Sequence, residues 1–208
     1  MPRKTDTRQR MVRSAARLLR RQGYAATGWR QVVADSATPW GSQAHHFPGG
    51  KEQLAAEAVT LSGAGYERLL RGVLADAHPA DAVIAWADAA AAGLESSGWA
   101  DGCPVATVAL ETAHSSDALA AACSAALATW HAALATSIVE HGAAPAEASA
   151  LATLVLAGIE GGLLIARASR DAEPIRIVSR ELAAVLRARA RATAAADGES
   201  GGHETVGA

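Results

Sequence analysis

The sequence predicts an all-α protein of about nine helices arranged in two blocks, and three observations carry that expectation. Half of the 208 residues are apolar but only 4% are aromatic, with one Phe and two Tyr, so the core must be built chiefly from Ala, Leu and Val. Ala and Leu are strong helix formers because they lose little conformational freedom in a helix. No alternating, β-branched segment bounded by turn residues occurs, which argues against a sheet. Apolar residues recur instead at helical spacing between Gly and Pro stops.

Taken in order, residues 1–6 read as a loose basic arm. Over 7–22, Met11, Val12, Ala15, Ala16, Leu18 and Leu19 form an apolar side among Arg8, Arg10, Arg13, Arg17, Arg20 and Arg21, and Gly23 stops the helix. Thr27 is placed to cap a short helix with Val32 and Val33 inward, ending near Asp35 or Ser36. Asp35, Ser36 and Thr38 bond locally to backbone, and Pro39 disfavours helix just before itself. Thr38 can then cap a second short helix, 39–46, with Pro39 at its first position, where a missing N–H costs nothing. Gly49 and Gly50 allow a sharp turn into a long helix from Lys51 to about Ala77. Ser62, Gly63, Ala64 and Gly65 interrupt that helix and imply either a bend or the close packing of another helix. Further helices are expected over 79–96, 104–114, 117–141, 145–169 and 173–193, with Ser116 or Asp117 capping the third of these. The predicted domains are 1–50, 51–193 and a small, polar, disordered tail over 194–208.

Charge divides the same way. Residues 1–54 carry ten Lys or Arg against three acids, a net +7, whereas the remaining nine bases and eighteen acids give −9. Such a split suggests a nucleic-acid-facing end joined to a body with another task, although for the charge run alone a merely solvated Arg-rich face is the preferred reading. Cys103 and Cys123 lie twenty residues apart without metal-ligand spacing and read as buried thiols. The N-terminal residues lack the apolar core of a signal peptide, and no eighteen-residue apolar stretch is free of charge, so a cytoplasmic protein without a membrane span is expected.

Two short helices around a tight turn, followed by the start of a long helix, have the shape of a DNA-reading unit. The segments TG at Thr27, SATPWGS at Ser36 and HHFPGGKEQL at His45 closely resemble the N-terminal helix-turn-helix of TetR-type transcriptional regulators, in particular the LmrA/YxaF-like branch. WADGCPVATVALET over 99–112 and IEGGLLIARASRDAEP over 159–174 resemble the ligand and dimer domain of the same branch. The resemblance implies a three-helix DNA-binding domain followed by a helical effector-binding and dimerisation domain. The chain departs from the branch where a turn Gly is Ala37, and where a basic residue and a Leu-Tyr pair are Trp40, Gln43 and Ala44. The family's Tyr commonly contacts a DNA phosphate, which Ala44 cannot do.

With the second short helix in the major groove, Ser42 and Gln43 offer groups for base edges, Gln having the geometry to bond adenine twice. His45 can donate to phosphate or base, and His46 packs or meets the backbone. Pro39 starts the helix, and Trp40 either covers a thymine methyl or sugar or packs on the first helix. Phe47 is assigned to the core. Gly50 and Lys51 would hold one phosphate, Thr27 and Arg30 another.

The resemblance further implies a pocket for a small hydrophobic or aromatic effector, for which Trp86, Trp99 and Trp130 are available, with Cys103, Glu111, His114 and His131 as polar groups. It also implies a homodimer on a palindromic operator. The dimer contact would use Leu151, Leu154, Val155, Gly158, Gly162 and Ile165 on one helix, with Ile177, Leu182, Val185 and Leu186 on the next. Two other classes compete. A helical-bundle metal-dependent enzyme is raised by the Glu-x-x-His spacing of Glu111 and His114, but that fold needs a second such motif and none occurs. A protein-interaction adaptor would leave the basic N-terminal third unexplained. No catalytic residue, metal site or cofactor is expected.

Overall fold

The computed structural model describes residues 4–200, with side chains over 6–193. Its order is α1 (Lys4–Ala26), α2 (Trp29–Asp35), α3 (Ser42–His46), α4 (Gly50–Leu74), α5 (Pro79–Ser96), α6 (Pro104–Thr112), α7 (Asp117–Glu140), α8 (Pro145–Ser169) and α9 (Glu173–Ser200). No strand occurs among the described residues. The expected ends of α5 and α8 agree to the residue, because Pro at N1 starts each helix. α9 continues to Ser200, past the expected stop near Thr193, and α1 begins at Lys4, inside the loose arm expected over 1–6, so parts of both expected loose ends are helical; 1–3 and 201–208 lie outside the described residues.

Two compact units result, and they do not follow chain order. The first holds residues up to Arg68 together with Gly93–Thr129; the second holds Leu69–Ala92 and the chain from Trp130 on. The sequence placed a boundary at residue 50, but α1 packs on α6 as well as on α2. The reason is area: α2 and α3 are too short to cover the apolar side of α1, on which Met11, Ala15 and Leu19 are almost fully buried. The backbone N–H of Gly102 also donates to the Arg20 carbonyl at 3.1 Å.

In the first unit α4 runs through Ser62–Gly65 without a break. Close packing explains the glycine: a Cβ at Gly63 would stand 2.7 Å from the Ala126 Cβ of α7. Gly63→Ala is therefore expected to destabilise this unit by about 1–3 kcal/mol through overpacking, read as a lower urea midpoint; an unchanged midpoint would show that α7 can yield.

In the second unit α8 and α9 form a tight helical hairpin about Arg170, whose φ of 53° is left-handed. A Cβ at Gly162 would meet the Ile175 backbone at 3.1 Å, and one at Gly158 the Leu182 side chain at 2.9 Å. These glycines serve the approach of α8 to α9 within one chain. Contrary to the expectation that no eighteen-residue apolar stretch is free of charge, residues 118–139 carry no Asp, Glu, Lys or Arg, and α7 and α8 are long and apolar enough, by length and composition, to cross a membrane. Each nevertheless buries core residues in the protein, Leu119 and Leu134 on α7, Ala152 and Ile159 on α8.

At the start of α5, His78 accepts the Ala80 N–H on Nδ1 at 3.1 Å, an imidazole acting as the helix cap. Burial, then the neighbouring His141 and Arg187, lower its pKa, with Asp81 opposing. The unfolded chain thus takes up a proton near pH 6.5, before the folded one. Stability is complete above that value and falls as pH drops through it. The melting temperature is expected to be lower at pH 5 than at pH 7.5, and His78→Asn, which keeps a capping acceptor without titrating, should narrow that difference.

Candidate nucleic-acid interface

The segment expected to read DNA is assembled from a break, a short helix, a turn and a shorter helix. Gly23 takes φ 78°, which kinks α1 before its last residues. Thr27 does not cap α2 as expected. It is 3% exposed, and its hydroxyl donates to the Gly23 carbonyl at 2.7 Å, turned inward away from any phosphate. Gly28 is the N-cap instead, and its N–H donates to the Gln31 side chain at 3.1 Å. The kink at Gly23 swings Thr27 back onto α1, which sequence spacing could not show.

Thr38 and Pro39 likewise do not begin the next helix. The buried Thr38 hydroxyl pairs with that of Ser36 at 2.9 Å, and Pro39 and Trp40 stay in the turn. Gly41, at φ 100°, precedes a five-residue helix starting at Ser42. Gln43 folds back to accept the Gly41 N–H at 2.7 Å, so its carbonyl oxygen is occupied while its amide N–H groups remain free to donate. Ala37, where the resemblance leads one to expect Gly, sits at φ 48°. An L-residue there costs about 1–2 kcal/mol, partly offset by the lower unfolded-state entropy of Ala. Ala37→Gly is expected to raise stability by up to about 1 kcal/mol, measured in urea; a loss would mean that the turn tolerates Ala without strain.

The outward residues are Trp40, 64% exposed, with Ala44 and His45 beside it; Ser42, Gln43 and His46 are half-buried. Trp40 therefore does not pack on the first helix. Phe47, 2% exposed, does lock α3 in place. Its ring lies 6.0 Å from Trp29 and 6.5 Å from His46 between centroids, with the Arg8 guanidinium 5.2 Å above it. Its carbonyl accepts the Gly50 N–H at 2.9 Å, tying α3 to the start of α4.

Most α1 cations already have acidic partners: Arg8 with Glu57 and Arg17 with Asp35, both at 2.5 Å, and Arg20 with Asp101 at 2.8 Å. These pairs are partly exposed, and such pairs are weak enough to exchange a carboxylate for a phosphate. Arg30 is exposed at the start of α2. Lys51 is not aimed outward from α4. Its ammonium lies 4.2 Å from the Tyr24 ring centroid and 3.4 Å from the Ala25 carbonyl, and burial lowers its pKa while Glu111 opposes the shift.

The residues expected at an effector pocket are dispersed. In the first unit Cys103 is buried and its sulfur accepts the Ala106 N–H at 3.4 Å; Trp99, at φ 65°, sits half-buried in the turn before α6; His114 is exposed beyond its end. Glu111 turns to α1, where it accepts the Ala25 N–H at 2.7 Å, a role that no spacing in the sequence signalled. In the second unit Trp86 and Trp130 are 3% and 1% exposed, and His131 bonds the Ser149 carbonyl at 2.9 Å. A cleft of about 20 Å³ lies there between His78, His141, Leu151, Leu186 and Arg189. Among the described residues no group of three or more His, Cys, Asp or Glu is placed to hold a metal ion.

Of the residues expected at a dimer contact, Leu151, Val155, Gly162, Leu182 and Leu186 are buried within the protomer, and Gly158 packs on α9. Leu154, Ile165, Ile177 and Val185 stay exposed, joined by Leu164 at 62%, which the spacing argument had not selected.

With this geometry in view, the chain is 34% identical over 183 residues to the uncharacterised HTH-type transcriptional regulator YxaF of Bacillus subtilis, covering 88% of this chain and 96% of that protein. It is 32% identical over 179 residues to the HTH-type transcriptional regulator LmrA of the same organism, covering 84% and 93%. The chain belongs to the LmrA/YxaF-like branch of the TetR family. Residues 79–181 match the model of the C-terminal domain of LmrA/YxaF-like transcriptional regulators. Among solved structures, a TetR transcriptional regulator from Chloroflexus aurantiacus superposes with a TM-score of 0.75 at 26% identity, over 90% of this chain and 97% of that one. The regulatory protein TetR from Rhodobacter sphaeroides gives 0.76 at 24%, over 84% and 96%, a likeness of fold. This TetR-family member is thus a helix-turn-helix transcriptional regulator, and its relatives are regulators rather than enzymes. α2 and α3 are its helix-turn-helix.

Proposed function

We propose that this TetR-family regulator is a ligand-responsive repressor: a homodimer that holds a palindromic operator with two α3 helices in successive major grooves, about 34 Å apart, and leaves it when a small hydrophobic or aromatic effector binds. The observation that carries the DNA-binding half is the contrast across α3, with Phe47 buried beneath it and Trp40 and His45 exposed on its outer side. An exposed indole in the turn just before a polar, short helix has no structural reason to be there and gains one against a sugar face or a thymine methyl. Ser42, the Gln43 amide and His45 read base edges, His46 and Pro39 set the helix against the backbone, and Arg30 meets a phosphate; Thr27 and Lys51 hold the turn behind them, and Gly50, its N–H bonded to the Phe47 carbonyl, shapes the entry to α4.

The exposed stripes Leu154, Leu164 and Ile165 on α8, and Ile177 and Val185 on α9, support a twofold contact between protomers. The effector binds in the C-terminal domain, where Trp86, Trp130 and His131 of the second unit supply apolar faces and a polar handle. A hundredfold fall in operator affinity requires about 2.7 kcal/mol of coupling, obtained only if the effector prefers the released geometry. The regulator acts in the cytoplasm.

Fluorescence anisotropy of the DNA upstream of its own gene, over a salt series and against scrambled DNA, tests the reading. Specific binding with a salt slope of roughly −0.9 per phosphate neutralised, and release by planar aromatic compounds, is expected. Binding that ignores salt and sequence would sink it. Lys51→Ala is expected to weaken binding to all sequences alike, whereas Gln43→Ala should change the preference among operators by about 1–3 kcal/mol at one base; a uniform loss with the second variant would count against base readout.

A further inference from the structure

We propose that Glu111 is a positioning residue for DNA binding: from α6 its carboxylate takes the Ala25 N–H, while Lys51 from α4 reaches the Ala25 carbonyl, and together they pin the turn through which the helix-turn-helix leaves α1. The Ala25 N–H donates to Glu111 Oε2 at 2.7 Å, and the Lys51 ammonium donates to the Ala25 carbonyl at 3.4 Å. The kink at Gly23 makes this necessary. Its φ of 78° interrupts the helical ladder and frees the N–H that follows it, which then needs an acceptor from outside α1. Gly23 also makes the contact possible, since a Cβ there would stand 1.7 Å from Glu111 Oε1. One residue thus opens both the backbone group and the space that Glu111 fills.

The segment around α6 is tied to the DNA-binding helices at two further points. Asp101, just before α6, pairs with Arg20 and Arg21 of α1, and Ser116, just after it, donates to Glu52 at the start of α4. These outer ties are side chain to side chain and partly exposed, so they can re-form after small shifts. The Glu111 tie differs in kind. It grips the backbone at the residue from which the direction of α2 and α3 is set, and a hydrogen bond with one ionised partner is about twice as strong as a neutral one. Burial lowers the pKa of Lys51 and Glu111 opposes that shift, which agrees with the two side chains acting on one turn. The DNA half of the inference rests on the operator binding proposed above; the pinning of the turn does not.

The test uses the full chain with Glu111→Ala and Glu111→Gln beside the parent. The parent first selects an operator duplex from a random library, and affinity for that duplex is then measured by anisotropy, with amide hydrogen exchange recorded over 20–30. Exchange in α8 and α9 serves as the control for overall folding. Glu111→Ala is expected to speed exchange at 23–28 and to weaken operator binding, each about tenfold, the equilibrium worth of one charge-assisted hydrogen bond. Glu111→Gln retains an acceptor oxygen and should stay within about threefold of the parent on both. Unchanged exchange in Glu111→Ala would overturn the pin. Faster exchange with undiminished operator affinity would overturn its role in DNA binding, and Glu111→Gln behaving like Glu111→Ala would replace the hydrogen bond by a pure charge effect. Should the parent select no operator, the DNA-binding reading fails while the exchange data still decide the pin.

Discussion

Phe47→Ala is expected to cost about 3–5 kcal/mol of stability and to abolish operator binding. The ring is the chain's only Phe, it is 2% exposed, and it is the piece against which Trp29, His46 and the Arg8 guanidinium all rest. α3 has five residues, far below the length at which a helix holds itself together, so its geometry is borrowed from that ring. Removing the ring leaves a cavity that α3 cannot close without losing the turn at Gly41. Urea unfolding followed by circular dichroism gives the stability change, and anisotropy the loss of binding. A cost below about 1 kcal/mol would mean that the site collapses onto the gap, and that the backbone bonds from Phe47 to Gln43 and Gly50 suffice.

Ile165→Glu is the second large effect. Ile165 is 53% exposed on α8, so a carboxylate there does little to an isolated protomer. In the proposed dimer the twofold axis brings two such charges into one apolar contact, where each must be desolvated without a partner. Sedimentation is expected to show monomer where the parent is dimeric. Operator affinity should fall at least a hundredfold, because two tethered reading heads gain about 10² to 10⁴ over one. A dimer that survives the substitution would place the contact elsewhere.

Those two residues mark the difference between what pattern reveals and what packing hides. Phe47 could be assigned to the core from sequence because a lone large aromatic beside a Pro-Gly-Gly break has few other uses. Ile165 was placed in an apolar stripe by its spacing, but that stripe mixed two faces. Leu151, Val155 and Leu186 look inward, while Leu154, Ile165, Ile177 and Val185 look out. In helices this rich in Ala the contrast between faces is too shallow for spacing to separate an intrachain seam from an intermolecular one.

The turn residues show the same limit at shorter range. Ser, Thr and Pro correctly announced that the helices end and begin within 27–42, because their local bonding and fixed φ act on the nearest few residues. Which of them caps was decided by distant partners. Thr27 was claimed by the Gly23 carbonyl and Thr38 by Ser36, which left Gly28 and Gly41 as the caps.

By itself, then, the sequence determined the all-α class, the start of α5 and both ends of α8, the helix-turn-helix and the regulator family, since each depends on local propensity or on a short signature. Only the tertiary structure decided that α6 belongs with the DNA-binding helices, that Glu111 holds Ala25 rather than facing a pocket, and that Lys51 lies against Tyr24. Those contacts join residues up to 86 positions apart. A carboxylate or ammonium on a helix carries no mark of its partner until the chain has closed around it.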